Sequence, residues 1–250
     1  MIDRPALARR VLAEFLGTGL LVTVIVGSGI AAQQLSIDVG LQLLGNSTAT
    51  ALGLAVLIVL LGPISGAHFN PLVSVADAIL GRRTGAGLPV RDVTAYIGAQ
   101  VAGGIGGAVL ANLMFQVPLA IASTARVTAG TLLGEVTATA GLVLLITGLT
   151  RMRQSLPVIA TAVGAYIGAA YWFTSSTSFA NPAVTIGRIF TDTFAGIAPE
   201  SVLPFIAAEV FGAAIGVAAA ALLFPLAAQT GAHTMTTRAP EAIMARRSHM

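Results

Sequence analysis

The sequence holds no cysteine and no lysine, a single tryptophan, and charged side chains at only 9% of its 250 positions. Without cysteine there is no disulfide framework, no thiolate nucleophile and no cysteine-ligated metal. Charge this scarce excludes an ordinary soluble domain, in which about a quarter of residues are charged. The positive charge is carried by arginine alone and does not gather on one amphipathic face, so a nucleic-acid surface is not expected. No nucleophile–base pair and no cluster with metal-ligand spacing stands out. An enzyme, a cofactor and a bound metal are therefore not expected.

What is present is apolar: 56% of residues are hydrophobic and the mean hydropathy is +0.88. The length leaves room for six membrane spans of about 20 residues with short loops. The apolar runs place them near 7–30, 47–61, 93–115, 131–149, 157–173 and 204–226, with outer connections at 31–46 and 116–130. The first run is longer than a signal-peptide core and has no clear cleavage site behind it. Two gaps carry a different signal, Phe69-Asn70-Pro71-Leu72-Val73-Ser74-Val75 and Phe179-Ala180-Asn181-Pro182-Ala183-Val184-Thr185-Ile186. Asparagine caps free N–H groups and proline is preset for the first helical position, so each motif starts a helix. The first has about nine residues before Gly81-Arg82-Arg83, too few to cross a bilayer. Two short helices starting inside the membrane would aim two positive dipole ends at one midplane site.

The halves repeat beyond these motifs. Glu14-Phe15-Leu16-Gly17-Thr18 aligns with Glu135-Val136-Thr137-Ala138-Thr139, and Tyr96-Ile97-Gly98-Ala99-Gln100-Val101 with Phe205-Ile206-Ala207-Ala208-Glu209-Val210. Halves at 7–115 and 131–226 each hold three spans, an odd number, so the second is inverted. Eleven of the 13 arginines fall on the side that carries both termini, leaving Arg126 and Arg188 for the other face. The positive-inside rule then puts both termini in the cytoplasm. The expected fold is an all-α membrane protein of six transmembrane helices plus two re-entrant half-helices in an inverted repeat. It forms one domain over 1–226, with a disordered cytoplasmic tail at 227–250 whose Ser-His-Met end looks like a cloning scar. The absence of lysine and the Ala/Gly-rich spans point to a bacterial inner membrane.

The Ala13-Glu14-Phe15-Leu16-Gly17-Thr18 start, Ser65-Gly66-Ala67-His68-Phe69-Asn70-Pro71 and the second Asn181-Pro182-Ala183 resemble the major intrinsic protein family, the aquaporins and aquaglyceroporins, over roughly residues 7–227. The resemblance implies one pore per subunit, a homotetramer in the lipid bilayer, and small neutral solutes and water as its partners. Asn70 and Asn181, with Pro71 and Pro182, would form the pore centre, each amide donating to a passing oxygen. Leu72 stands where the family has alanine, and would fill space beside Asn70 or narrow the pore; Ala183 keeps the family residue.

Most of the family has arginine where this chain has Val184. Carrying over the family's spacings, the other filter positions fall on Thr50, Ala169 and Ser178. That ring is small, with no aromatic, histidine or arginine, and is expected to be wide. Arg188, one turn after Val184, would reach back to the filter or, as the favoured expectation, sit in the outer vestibule or serve the fold. His68 would line the cytoplasmic half, where a lone histidine is more often structural than a pH switch. Glu14 and Glu135 would hold the re-entrant backbone rather than relay protons. Gln100 and Glu209 would serve helix packing, with Glu209 as an alternative partner of Arg188. Gly103, Gly107, Gly164, Gly168, Gly212 and Gly216 would let helices approach closely.

The stretch from Phe179 to Pro199 resembles a bacterial branch associated with arsenic-resistance genes, which implies neutral metalloids such as arsenous acid, or methylated arsenicals. The expected function is a passive channel for small uncharged solutes: glycerol-like polyols, metalloids and water. The alternatives are a water-selective channel with an atypical filter and a proton-coupled secondary transporter.

Overall fold

A computed structural model describes residues 4–82 and 87–225. Its helices are α1 (Leu7–Leu35), α2 (Val39–Ser65), α3 (Pro71–Gly81), α4 (Val90–Met114), α5 (Ala129–Arg151), α6 (Leu156–Phe173), α7 (Pro182–Gly187) and α8 (Pro199–Leu223), with a 3-10 turn, Arg188–Phe190, after α7. Among the described residues there is no strand. Six helices, all but α3 and α7, are long and apolar enough to cross a membrane. At 1.5 Å per residue, the 11 residues of α3 and six of α7 reach only about 16 and 9 Å. They are half-helices.

The elements differ from expectation mainly at their ends. The connection expected over 31–46 contracts to 36–38, because α1 continues to Leu35 and α2 begins at Val39. Asp38 makes the sharp restart possible: its Oδ1 accepts the Leu41 N–H at 2.9 Å and caps α2. The last span starts at Pro199, not Pro204, so Pro204 lies inside α8. Pro199 suits the first helical position, where no backbone donor is needed, and Glu200 complements the positive end of the dipole. The expected end of that span at 226 and the tail at 227–250 lie outside the described residues.

The repeat governs the packing. α1 lies mainly along α4, and α5 along α8, as equivalent pairs. Glycine sets the approach: a Cβ on Gly107 would stand 2.1 Å from the Gly19 carbonyl oxygen, and one on Gly216 would stand 2.5 Å from that of Ala140. No side chain fits there, so these glycines bring backbones together as expected. Large apolar side chains such as Leu52, Leu60, Leu203 and Leu222 face outward, the arrangement a lipid surround requires. The half-helices enter this bundle from opposite ends and meet N-terminus to N-terminus.

Candidate functional site

The meeting point is built from the two asparagines. The Asn70 Oδ1 caps α3 by accepting the Leu72 N–H at 2.9 Å. The Asn181 Oδ1 caps α7 by accepting the N–H groups of Ala183 at 3.0 Å and Val184 at 3.4 Å. Their amide nitrogens cross over: Asn70 Nδ2 donates to the Ala180 carbonyl, and Asn181 Nδ2 to the Phe69 carbonyl, both at 2.8 Å. The residues therefore act as caps and as a reciprocal clasp between the half-helices. A primary amide has two N–H groups, so one remains on each side chain. Both asparagines line one cavity of about 1190 Å³. Pro71 and Pro182 occupy the first position of each half-helix. Leu72 packs with Ala76, Val143 and Ala213, so of its two expected roles it fills space and does not narrow the pore. Ala183 is fully buried, its carbonyl pressed on Gly104.

The backbone leading into each half-helix is unusual. Gly66, Ala67 and Phe69 have φ of 94°, 50° and 50°; Thr177, Ser178 and Ala180, each 111 positions later, have 62°, 52° and 48°. Five of these six are not glycine, and a non-glycine residue held there costs about 1–3 kcal/mol. The buried glutamates hold the conformation. Glu14 Oε1 accepts from Ser65 Oγ at 2.6 Å and the His68 N–H at 3.0 Å. Its Oε2 accepts from the Phe69 N–H at 2.7 Å and Gln100 Nε2 at 2.8 Å. Glu135 accepts the N–H groups of Phe179 at 2.9 Å and Ala180 at 2.7 Å. Two N–H groups of each turn thus find their acceptor on a carboxylate, while those of Ala67 and Ser178 find theirs on the Ser65 and Ser176 hydroxyls.

Elsewhere along the cavity, Thr50 Oγ1 lies 3.2 Å from the Tyr171 hydroxyl. Both line the cavity, with Ser178 and Val184. Ala169 does not join them: it is exposed on the outer side of α6. The phase of α6 is set by the inward stripe Val163, Ile167 and Tyr171, and a residue two positions from Tyr171 is turned about 200° away. Tyr171 takes the place expected of Ala169. The stripe at four-residue spacing was the signal that could have found it.

Arg188 is 3% exposed and lines the same cavity. Its Nε donates to the Ala195 carbonyl, and its guanidinium carbon lies 3.5 Å from the Phe179 ring centroid. The expected ring without aromatic or arginine is thus corrected on both counts: Tyr171 and Arg188 border it. Arg188 carries the loop after α7 and faces the cavity with the same side chain. No ion pair joins it to Glu209 among the described residues; Glu209 instead meets the Thr185 hydroxyl at 2.7 Å.

His68 lines the same cavity on the α3 side. Its Nδ1 lies 3.1 Å from Ser74 Oγ, and its Nε2 lies 3.8 Å from Asp77. Asp77, which sequence reasoning missed, also accepts the Leu88 N–H at 2.6 Å and so ties α3 to the start of α4.

Arg126 locks the loop between α7 and α8. Its Nε donates to Gly196 O at 2.6 Å and its Nη2 to Phe194 O at 2.8 Å, while its guanidinium stands 5.5 Å from the Phe179 ring. Beside it, the Ser123 backbone N–H and hydroxyl, both at 2.9 Å, hold the Asp192 carboxyl below its ordinary pKa. Arg126→Ala is expected to cost about 3 kcal/mol, since charge-assisted bonds contribute about 1.5–3 kcal/mol each. Limited proteolysis at residues 190–198 measures the loosening; cutting no faster than in the native chain would refute it.

Three comparisons bear on this arrangement. The family model described as "Major intrinsic protein" matches residues 1–174. Aquaglyceroporin AqpS of Rhizobium meliloti (strain 1021) is 49% identical over 214 residues, 85% of this chain and 88% of that protein. The propanediol uptake facilitator PduF of Citrobacter freundii is 36% identical over 110 residues, 44% of this chain and 38% of its own. The X-ray structure of the aquaglyceroporin from Plasmodium falciparum superposes with a TM-score of 0.63 at 20% identity, covering 88% of this chain and 97% of that one.

Proposed function

Because this chain belongs to the major intrinsic protein family, we propose that it is a passive membrane channel for small uncharged solutes of the glycerol kind, with water also admitted. The observation that carries the reading is the asparagine clasp: two amides from opposite half-helices, each with an N–H to spare, in one cavity. A polyol entering it exchanges water for these donors. The apolar walls, Leu21, Ile25 and Val143 among them, suit its carbon face. Cations meet Arg188 and the positive ends of two half-helices.

The proton-coupled alternative lacks an acid bordering the centre of the cavity: backbone N–H groups occupy Glu14 and Glu135, and neither they nor Glu209 line it. The resemblance around 179–199 and the similarity to AqpS support polyols and neutral metalloids such as arsenous acid or methylated arsenicals as the solute class. The arginine distribution supports cytoplasmic termini and the bacterial inner membrane. Family membership supports a homotetramer.

Stopped-flow light scattering on proteoliposomes tests the reading. Glycerol and arsenous acid are expected to cross at least tenfold faster than through protein-free vesicles. Val184→Arg, which adds a second guanidinium to the same cavity, is expected to cut that flux by about tenfold, a barrier increase of about 1.4 kcal/mol. Flux of water alone, unchanged by the substitution, would refute a polyol channel.

A further inference from the structure

The two halves hold their re-entrant segments with the same parts except one. In the first half, Gln100 Nε2 donates to Glu14 at 2.8 Å and to Ser74 Oγ at 2.9 Å, and Ser74 donates to the Asn70 carbonyl. In the second, Thr185 stands for Ser74 and Glu135 for Glu14, but the amide is replaced by the carboxyl of Glu209. Because α8 packs along α5 as α4 does along α1, Glu209 holds the place opposite Glu135 that Gln100 holds opposite Glu14. An amide can donate to a carboxylate; a carboxylate facing a carboxylate cannot.

The proton inventory decides how the second half closes. Both oxygens of Glu135 are taken by the N–H groups of Phe179 and Ala180, so it bears the negative charge. Glu209 is fully buried; its Oε1 meets the Thr185 hydroxyl, and its Oε2 has no donor. Two ionised carboxylates buried opposite each other repel strongly. The charged groups around Glu209 and Glu135 are Arg188 in the turn after α7 and Arg126 in the segment before α5. Neither makes an ion pair within 4.0 Å of Glu135 or Glu209 among the described residues, so no cation is in contact with the pair.

We propose that Glu209 is a positioning residue that keeps its proton and shares it with Glu135, a protonated carboxyl standing in for the amide of Gln100. The second re-entrant segment, with Ser178 and Asn181 on it, then depends on a removable proton, whereas the first does not. Losing that proton at alkaline pH leaves two facing anions, releases the Glu135 clamp on Phe179 and Ala180, and lowers solute flux.

The test uses the full chain in lipid. Infrared spectra at neutral pH are expected to show a protonated-carboxyl C=O band that Glu209→Gln removes. Glu209→Gln is expected to keep glycerol permeability within about twofold, because the amide supplies the same donor. Native permeability falls on raising the pH, and that of the Gln variant stays level. Glu209→Ala, without a donor, is expected to lose permeability about tenfold or more, and the contrast with Gln separates proton donation from mere space filling. A native spectrum without that band, matching pH profiles for the native and Gln variants, or a Gln variant as impaired as Ala would overturn the proposal. None of these outcomes depends on which neutral solute is physiological.

Discussion

Glu14→Ala is expected to yield little folded protein, and what folds is expected to conduct glycerol at under about a tenth of the native rate. The Glu14 carboxylate accepts four bonds, from the Ser65 hydroxyl, the His68 and Phe69 N–H groups, and the Gln100 amide. Alanine leaves the two backbone donors without any acceptor in a water-free interior, at about 1–3 kcal/mol each. It also leaves Ala67 and Phe69 with φ of 50° and nothing to hold them there. The sum, about 4 kcal/mol or more, is a large part of a typical fold's net stability of about 5–15 kcal/mol. Glu14→Gln keeps one acceptor oxygen but turns an NH2 toward two of the donors, so its loss is expected to be intermediate. Detergent-solubilised yield by gel filtration and glycerol flux in proteoliposomes measure both variants. Native yield and flux from the alanine variant would show that the carboxylate does not hold the re-entrant segment. A Gln variant with native yield that abolishes a proton-gradient dependence of uptake would instead favour the coupled transporter.

How much of this was legible in the sequence divides along a physical line. The spans were legible because bilayer thickness fixes a minimum apolar length. The half-helices were legible because Asn-Pro is a local start signal that needs no tertiary context. Asn70 and Asn181 could therefore be placed, and so could Glu14 and Glu135, through the repeat. Helix phase was less legible. Ala169 was carried over at a fixed distance from Asn181, but the pore-facing side of α6 is set by Val163, Ile167 and Tyr171, and no count from the next motif contains that information. The lock on the loop between α7 and α8 was not legible at all. Arg126 reads as an isolated loop arginine, and its bonds to Phe194 and Gly196 exist only once residues some 70 positions apart are folded together. The five left-handed residues other than glycine that lead into the half-helices were hidden for the same reason: tertiary contacts, not local propensity, hold them.

Arg188→Leu is expected to leave neutral-solute flux within about twofold of native while raising cation leak roughly tenfold. The guanidinium is buried beside the Phe179 ring and borders the cavity with Thr50, Tyr171, Ser178 and Val184. A unit charge about 10 Å from a cation's path, at an effective dielectric of about 20, opposes it by about 1.5 kcal/mol, or roughly tenfold in occupancy. A polyol feels no such barrier. Arg188→Lys keeps the charge but not the planar stack or the rigid fork to the Ala195 carbonyl, so it is expected to restore exclusion only in part. A vesicle assay reading potassium-driven dye quenching, run beside glycerol light scattering, separates the two fluxes. The sharper arrangement is the exchange Val184→Arg with Arg188→Val. It moves the charge by one helical turn to the position most of the family uses. If exclusion depends on a guanidinium at this level and not on residue 188 itself, the exchange is expected to keep cations out while narrowing the passage for glycerol. If Arg188→Leu leaves cation leak at the native level, the barrier lies with the half-helix termini at Asn70 and Asn181 alone, and Arg188 serves only to anchor the loop.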